Sequence, residues 1–271
     1  ATTVPGVDDP NITHDNFDTN SKKCKTLESC VLYVDLREST KISNSLKSED
    51  LAKLYSAYVR SMVRAAEYFN GYIRNIIGDR VMVVFDPNGC FENAVNTAFL
   101  LNTVAHYVFA KQFQLKDITL KCGIGIDYGK MLITKTGVVR QGKENIPSKS
   151  LVWLGRPANI ASKLTDKANM NKFWSTPGVS KGLYYPLTKN WSWIEMENEN
   201  FLDELKPTYT PQILHSDNYF STFIKTKIAH SSSTKPILIT KEVYLGLKRE
   251  NPKEASIEGN WWTKQSVAIS E

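Results

Sequence analysis

The amino-acid sequence predicts an α+β fold whose core runs in the order β-α-β-β-α-β and is followed by a C-terminal elaboration. Three observations support this prediction: a continuous apolar run that ends in an acidic residue, two long stretches with helical periodicity, and two pairs of β-rich runs separated by short turns. With 271 residues, of which 41% are hydrophobic and 23% charged, the chain is long enough to bury a substantial core.

The first strand and the first helix of this core have clear signals. Residues 30–36 are mostly apolar and β-branched and contain one acid near the end, as in a buried strand. Residues 49–69 carry apolar side chains at the i, i+3, i+4 spacing of a long amphipathic helix, and Ser48 is well placed as its N-cap.

The rest of the core follows from a hairpin, a helix and a second strand pair. Residues 72–77 and 80–85 predict a tight hairpin, because a two-residue turn that contains glycine separates them. Residues 91–109 again have helical periodicity. Residues 118–127 and 130–135 predict two strands hinged at the two residues between them. The resulting order is that of a ferredoxin-like sheet with helices on one face.

The C-terminal part continues the same alternation. A short strand is predicted at residues 151–154, a helix with proline in its first turn at 157–167, and a last strand and helix at 236–240 and 241–248. Residues 170–232 are rich in tryptophan and have little clean periodicity, so we interpret them as an insertion within the domain.

We therefore predict one polar N-terminal arm, residues 1–28, and one domain, residues 29–271. The net charge of +6 comes from basic residues dispersed along the chain, which suits a polyanionic small molecule better than nucleic acid. No apolar run approaches the ~20 residues of a membrane helix, and residues 1–9 have neither the basic nor the apolar region expected of a secretory signal. We expect a cytoplasmic protein without a membrane or nucleic-acid partner.

Two acidic residues are predicted to meet at one end of the sheet. Asp35 lies at the end of the first strand, and Asp79 lies in the tight hairpin turn. Because the first and third strands of a ferredoxin-like sheet are neighbours, the two carboxylates can approach each other, and a cation such as Mg²⁺ or Mn²⁺ would relieve their repulsion. A helix cap at Asp35 and a simple turn residue at Asp79 are the alternatives that spacing alone leaves open.

The segment after Asp35 is a candidate phosphate-binding loop. Arg37, Ser39 and Thr40 stand just before a helix and offer successive backbone N–H groups and two hydroxyls. These residues are therefore predicted to contact an anionic substrate.

Four segments, in order, resemble the motifs of class III adenylate and guanylate cyclases. Tyr33-Val-Asp-Leu-Arg-Glu-Ser-Thr40 is similar to the family's first metal-binding segment, and Ile76-Ile-Gly-Asp79 is similar to its second. Gly125-Ile-Asp-Tyr-Gly129 resembles a turn of the family, and Gly155-Arg-Pro-Ala-Asn-Ile-Ala-Ser-Lys163 resembles a helix that carries catalytic residues. The resemblance covers about residues 28–168 and implies a cyclase fold.

The resemblance implies roles for individual residues. Asp35 and Asp79, with the backbone carbonyl of Leu36, would hold two divalent cations, Mn²⁺ or Mg²⁺. Asn159 would orient the ribose, and Lys163 stands where the family has a transition-state arginine. The implied reaction is in-line attack of a 3′-hydroxyl on the α-phosphorus with loss of pyrophosphate. Family members share each site between two chains, which implies a homodimer.

Two departures from the family's pattern bear on the substrate. Asn75 replaces the lysine that adenylate cyclases use to read the purine, and Arg156 replaces an aspartate that accepts from adenine. A side chain that only donates suits the carbonyl oxygens of uracil or cytosine, or the O6 of guanine, better than adenine, and two carbonyl acceptors favour UTP over CTP. The short motifs resemble the Pycsar pyrimidine cyclases of bacterial anti-phage defence, which implies that a separate effector protein senses the cyclic product.

Two other readings stay open. The first is an adenylate or guanylate cyclase with an unusual base pocket. The second is a degenerate homologue that binds nucleotide without turnover, because Lys163 offers a point charge where arginine offers a bidentate fork.

Overall fold

The computed structural model describes residues 6–13, 16–17, 24–109, 111, 120–136, 139–140, 143–144, 150–207, 213–215 and 221–269. These residues divide into two units. The first comprises Ala1–Met170 with Thr234–Glu271, and the second comprises Asn171–Ser233.

The helices and strands follow one another in the order predicted for the core. The elements up to Met170 are β1 (Cys24–Leu36), α1 (Ser39–Ser45), α2 (Ser48–Tyr68), β2 (Gly71–Ile77), β3 (Arg80–Phe85), α3 (Cys90–Thr103), β4 (Cys122–Thr136), β5 (Val139–Arg140), β6 (Lys143–Glu144), β7 (Ser150–Leu154) and α4 (Arg156–Lys167). The remaining elements are β8 (Asn171–Tyr185), β9 (Asn190–Glu197), α5 (Asn198–Asp203), β10 (Leu205–Pro207), β11 (Ile213–His215), β12 (Ser221–Ser233), β13 (Ile237–Ile239), α6 (Lys241–Glu250) and α7 (Ala255–Glu258).

The first unit is built on a sheet in the order β13-β4-β1-β3-β2, to which β7 adds by pairing with β4. Strand β1 is central and antiparallel to both β3 and β4, whereas β13 is parallel to β4. This is the α+β, ferredoxin-like arrangement that the sequence predicts.

Both faces of the sheet are covered, which explains why residues 30–36 of β1 are almost continuously apolar. Leu32 and Val34 face one buried cluster with side chains of α2, α3 and α6. Val31 faces a second cluster that includes Ala158 and Ala161 of α4. Alternate residues of a strand point to opposite faces, so a strand buried on both sides needs apolar residues at successive positions. The two helices of the predicted core, α2 and α3, lie on one face, and α4, which follows that core, packs on the other.

Several predicted boundaries are also wrong. Strand β1 begins at Cys24, inside the predicted arm, and Ile12 and Phe17 of that arm are buried in the second cluster. Other parts of the arm lie outside the described residues. Helix α2 begins at Ser48, so the N-cap is Lys47, which makes no side-chain capping bond.

The second predicted strand pair is a single strand, β4. Its residues 122–134 pair without interruption with residues 24–36 of β1. Gly129 sits in the middle with a φ of 152° but does not reverse the chain, because β1 continues to hold β4 on both sides of it. Helix α3 ends at Thr103 and continues as a π-helical turn, Val104–Val108. Residues 118 and 119 of the prediction lie outside the described residues.

The second unit contains an antiparallel sheet in the order β12-β8-β9 and a separate pair, β10-β11. Trp191 and Trp193 on β9 lie with ring centroids 5.9 Å apart, and Gly182 on β8 leaves room for the Trp193 ring. The 13 residues of β12 pair with β8 along their whole length. A segment without clear sequence periodicity therefore still forms long strands. In the described part of the whole chain, no helix is both long and apolar enough to cross a bilayer.

Candidate active site

The structure brings the two predicted acidic residues together. Asp35 is the penultimate residue of β1, and Asp79 lies in the turn between β2 and β3. Val34 pairs with Val81, so both carboxylates stand at the same end of the sheet. Burial raises the pKa of Asp79, and the negative charge of Asp35 raises it further. The sequence prediction that these carboxylates interact is thus supported by their electrostatics.

The surroundings of Asp79 fit a cation. Nearby donors, the backbone N–H groups of Asp79 and Leu36 and the Ser39 hydroxyl, offset part of this rise in pKa, but Asp79 Oδ2 is buried and accepts no hydrogen bond among the described residues. The hydroxyl of Tyr58 on α2 is also buried without a partner in that part of the chain, and the charges of Asp35 and Asp79 both act on it. A buried carboxylate oxygen that accepts no hydrogen bond, close to a second acid, is suited to a hard metal ion.

A single chain nevertheless supplies few metal ligands. Within the described ranges, no group of three or more histidine, cysteine, aspartate or glutamate side chains is placed to hold a metal ion. Any cation at Asp35 and Asp79 therefore needs further ligands from backbone carbonyls, water or a substrate.

Arg80 is a site residue that the sequence analysis missed. Its Nη2 donates to Asp35 Oδ2 at 2.6 Å and also to the carboxylate of Asp166. Its Nη1 donates to the hydroxyl of Ser162 at 3.0 Å. The guanidinium thus joins the predicted metal ligand Asp35 to helix α4. Its position directly after Asp79 is the one signal in the sequence that could have indicated this role.

The predicted phosphate-binding loop is only partly arranged as expected. Helix α1 begins at Ser39, and Thr40 is exposed in its first turn. The Arg37 guanidinium, however, lies against Gly123 of β4 and donates to the backbone carbonyl of Thr165. Burial lowers the pKa of Arg37, partly offset by the charges of nearby acids. This packing favours a structural role for Arg37, whose hydrogen bond holds the segment after β1 against the C-terminal part of α4.

Helix α4 presents two neighbouring rows of polar side chains. Ser162 and Asp166, one turn apart, contact Arg80 of the same chain. Asn159, which is exposed, and Lys163, which is half-buried, form the next row. Residues four apart share one helix face, so Asn159 and Lys163 project together, as the sequence analysis expects.

Glycines set the position of α4. A Cβ on Gly125 of β4 would lie 2.2 Å from the Ala161 carbonyl oxygen and 2.5 Å from the Thr165 nitrogen. The helix therefore packs directly on the strand backbone. The segment Gly125–Gly129, which resembles a turn of the cyclase family, is here part of a strand and provides this contact surface.

The two residues expected to read the base lie on different elements. Asn75 is exposed on β2, directly after an irregularity in the pairing with β3. Arg156 opens α4, and its side chain is 60% exposed. Its Nη1 lies 3.6 Å from Oδ2 of Asp127, a fully buried acid on β4. Asp127 and its partner Thr240 were not identified as site residues from the sequence.

Comparisons with known proteins find nucleotide cyclases among the relatives of this chain. No protein-family model matches the chain. The chain is 31% identical over 172 residues to a uridylate cyclase of Burkholderia cepacia, a match that covers 62% of this chain and 69% of that protein. It is 29% identical to a cytidylate cyclase of Staphylococcus aureus over 72% of this chain, and it spans 48% of that protein's length. A uridylate cyclase of Gulbenkiania mobilis is 32% identical over 59% of this chain and 61% of that protein.

Solved structures that are similar to this chain include the adenylyl cyclase CyaB from P. aeruginosa. The TM-score is 0.48 and the identity is 20%, and the match covers 76% of this chain and 96% of that chain. Another is the guanylyl cyclase Cya2, with a TM-score of 0.45, 16% identity and coverage of 64% and 92%. Because the chain is 31% identical to the B. cepacia protein over 69% of that protein's length, it belongs to the family of nucleotide cyclases that includes the uridylate and cytidylate cyclases.

Proposed function

We propose that this protein converts a pyrimidine nucleoside triphosphate, UTP in preference to CTP, into its 3′,5′-cyclic monophosphate and pyrophosphate. The observation that carries the proposal is the pair Asp35 and Asp79, whose buried and unsatisfied oxygen fits a cation at the end of the sheet. The relatives named uridylate and cytidylate cyclase support the choice of a pyrimidine. The chain spans about half the length of the cytidylate cyclase.

In the proposed reaction the 3′-hydroxyl attacks the α-phosphorus in line and pyrophosphate leaves. The chain contributes position and charge. Asn159 would hold the ribose, and Lys163, one turn further along α4, would donate to the phosphoryl oxygens. Ser39 and Thr40, at the start of α1, would contact the triphosphate.

Two divalent cations, Mn²⁺ or Mg²⁺, are the proposed cofactors, with Asp35, Asp79 and the Leu36 carbonyl as their protein ligands. When bound, such ions neutralise phosphate charge and lower the pKa of the attacking hydroxyl. Asp79 Oδ2 is buried and accepts no hydrogen bond among the described residues, so it remains available to a cation.

The active form would be a homodimer in which one protomer supplies Asp35 and Asp79 and the other supplies Asn159 and Lys163. The rows on α4 support this arrangement. The row of Ser162 and Asp166 is occupied by Arg80 of its own chain, whereas Asn159 in the next row is exposed. The cyclic product would act on a separate effector protein in anti-phage defence.

Offering UTP, CTP, ATP and GTP separately with Mn²⁺ tests the reaction. We expect one dominant cyclic pyrimidine nucleotide, identified by chromatography and mass spectrometry, and pyrophosphate in equal amount. Cyclic AMP or GMP as the main product would contradict the proposed substrate. No product from any of the four would contradict the reaction and favour a degenerate homologue.

Arg80 should compete with the metal for Asp35. Its side chain is only 26% exposed and its guanidinium contacts Asp35 directly, so replacing it removes a positive charge from the site. We expect Arg80→Gln to tighten Mn²⁺ binding about fivefold, measured from free Mn²⁺ by electron paramagnetic resonance. Arg80→Lys retains the charge and serves as the control. Equal Mn²⁺ affinity in the Gln variant and the wild type would show that the ion does not bind at Asp35.

A further inference from the structure

Asp127 is an unusual acid because it is completely buried yet incompletely hydrogen-bonded. It lies on β4, and its side chain has no exposed surface. Its Oδ1 accepts a hydrogen bond of 2.6 Å from the Thr240 hydroxyl. Its Oδ2 is buried, accepts no hydrogen bond among the described residues and faces Nη1 of Arg156 at 3.6 Å. A buried charge is costly unless it is paired, so Arg156 is the natural partner of this oxygen.

Thr240 is placed to hold the acid rather than its own helix. It is the N-cap residue of α6, where a threonine side chain normally accepts from an N–H of the first turn. Here the side chain makes no capping bond and donates to Asp127 instead. The Thr240 N–H is fixed by the backbone carbonyl of Ile126, next to Asp127 on β4. The hydroxyl therefore approaches the carboxylate from a rigid position.

Two glycines bring Arg156 to the acid. Gly155, with a φ of 147°, lets α4 start close to β4: a Cβ there would lie 2.9 Å from the Lys130 carbonyl oxygen. Pro157 packs over Gly129, 3.2 Å from the position of a Cβ. The start of the helix is therefore fixed on the strand, and the Arg156 side chain extends from a defined point.

The rest of the guanidinium remains available. Arginine has five N–H donors, and a contact with Asp127 Oδ2 uses one of them. Because the Arg156 side chain is 60% exposed, its other donors face solvent, where a substrate can reach them. A long arginine side chain that is held near an acid by charge attraction loses less conformational entropy on binding a base than a free one.

We propose that Asp127, held by Thr240, is a positioning residue that orients the Arg156 guanidinium toward the carbonyl oxygens of the pyrimidine base. This inference rests on the proposed function, in which Arg156 contacts the base. Three side chains, from β4, from α4 and from the junction between β13 and α6, would together select the base. The ligand is a base with carbonyl acceptors, and uracil offers two of them.

The test combines kinetics with binding. Asp127→Asn removes the charge and keeps the shape, and Thr240→Val removes the hydroxyl and leaves the buried acid in place, which covers the case that the Asn variant does not fold. Arg156→Gln and the double variant Asp127→Asn/Arg156→Gln complete a cycle. For each protein, kcat and KM for UTP and ATP are measured, together with Tm and equilibrium binding of both nucleotides in Ca²⁺.

We expect Asp127→Asn to lower the preference for UTP over ATP about tenfold, through KM rather than kcat. Arg156→Gln should have an effect of similar size, and the double variant should be no worse, since both changes remove one interaction. Thr240→Val should show part of the loss, and Thr240→Ser, which keeps the hydroxyl, should restore the preference.

A merely structural role would give different results. If Asp127→Asn and Thr240→Val lower Tm but leave the UTP preference unchanged, or if the losses in the double variant multiply, the inference is wrong. Cyclic UMP formation with an unchanged preference in the variants overturns the inference and leaves the proposed function standing. Preferential UTP binding without product, lost in Asp127→Asn, overturns the proposed reaction and supports the inference.

Discussion

Two inactive variants are expected to restore activity when mixed. Asp35→Ala removes a proposed metal ligand and Lys163→Ala removes the proposed transition-state cation, and each should lower the rate of cyclic UMP formation by at least about 100-fold. If the two residues act in one site from different protomers, each heterodimer holds one intact site. Random exchange of equal amounts makes about half of the dimers heterodimers, so about a quarter of the wild-type rate should return.

The matched control is a mixture of Asp35→Ala and Asp79→Ala. Both residues belong to the same half of the shared site, so every site in their heterodimer lacks one of them and no rate should return. Subunit exchange is checked in parallel with differently tagged chains. Exchange without recovery in the Asp35→Ala and Lys163→Ala mixture would mean that each chain uses its own Asp35 and Lys163.

Adding a methyl group at Gly125 is expected to destabilise the fold strongly. A Cβ there would lie 2.2 Å from the Ala161 carbonyl oxygen, and backbone cannot move aside as a flexible side chain can. Gly125→Ala must therefore push α4 away from β4, which should cost roughly 3 kcal/mol. For a domain of this size, the corresponding fall in Tm is about 10 °C, measured by thermal unfolding.

Gly6→Ala is the control for this prediction. Its Cβ would meet the nearest atoms, of Thr26, at 3.9 and 4.0 Å, which is ordinary van der Waals contact. We expect its Tm to stay within about 2 °C of the wild type. Equal Tm values for the Gly125 and Gly6 variants would contradict the direct packing of α4 on β4.

The core topology could be predicted because its signals are local. The buried strand β1, the amphipathic helix α2 and the glycine-containing turn after β2 are each specified by short stretches of sequence. Once these elements are in order, the pairing of β1 with β3 places Asp35 and Asp79 at one end of the sheet. The meeting of the two acids therefore follows from strand order and a turn of two residues.

The errors arose where distant parts of the chain override a local signal. A tyrosine and a glycine in β4 resemble a turn, but β1 pairs with β4 on both sides of them, so the strand continues. Strand β1 is longer than its apolar run because residues from Cys24 onward find hydrogen-bond partners in β4. Pairing of this kind depends on the partner strand, and the local sequence does not report it.

The partners of the charged side chains were decided by the tertiary structure alone. Arg37 is close to the acids in sequence, yet its guanidinium lies on the backbone of Thr165, 128 residues away. Arg80 joins Asp35 to a helix that begins 76 residues later. The Thr240 hydroxyl reaches Asp127 across 113 residues.

The sequence by itself thus determined the fold class, the order of the core elements and the two acidic residues, because hydrophobic periodicity and turn chemistry are short-range. Only the tertiary structure decided which charges pair, which arginine is buried and which acid holds Arg156. These choices depend on the burial of each group, and burial is set when separate elements pack against one another.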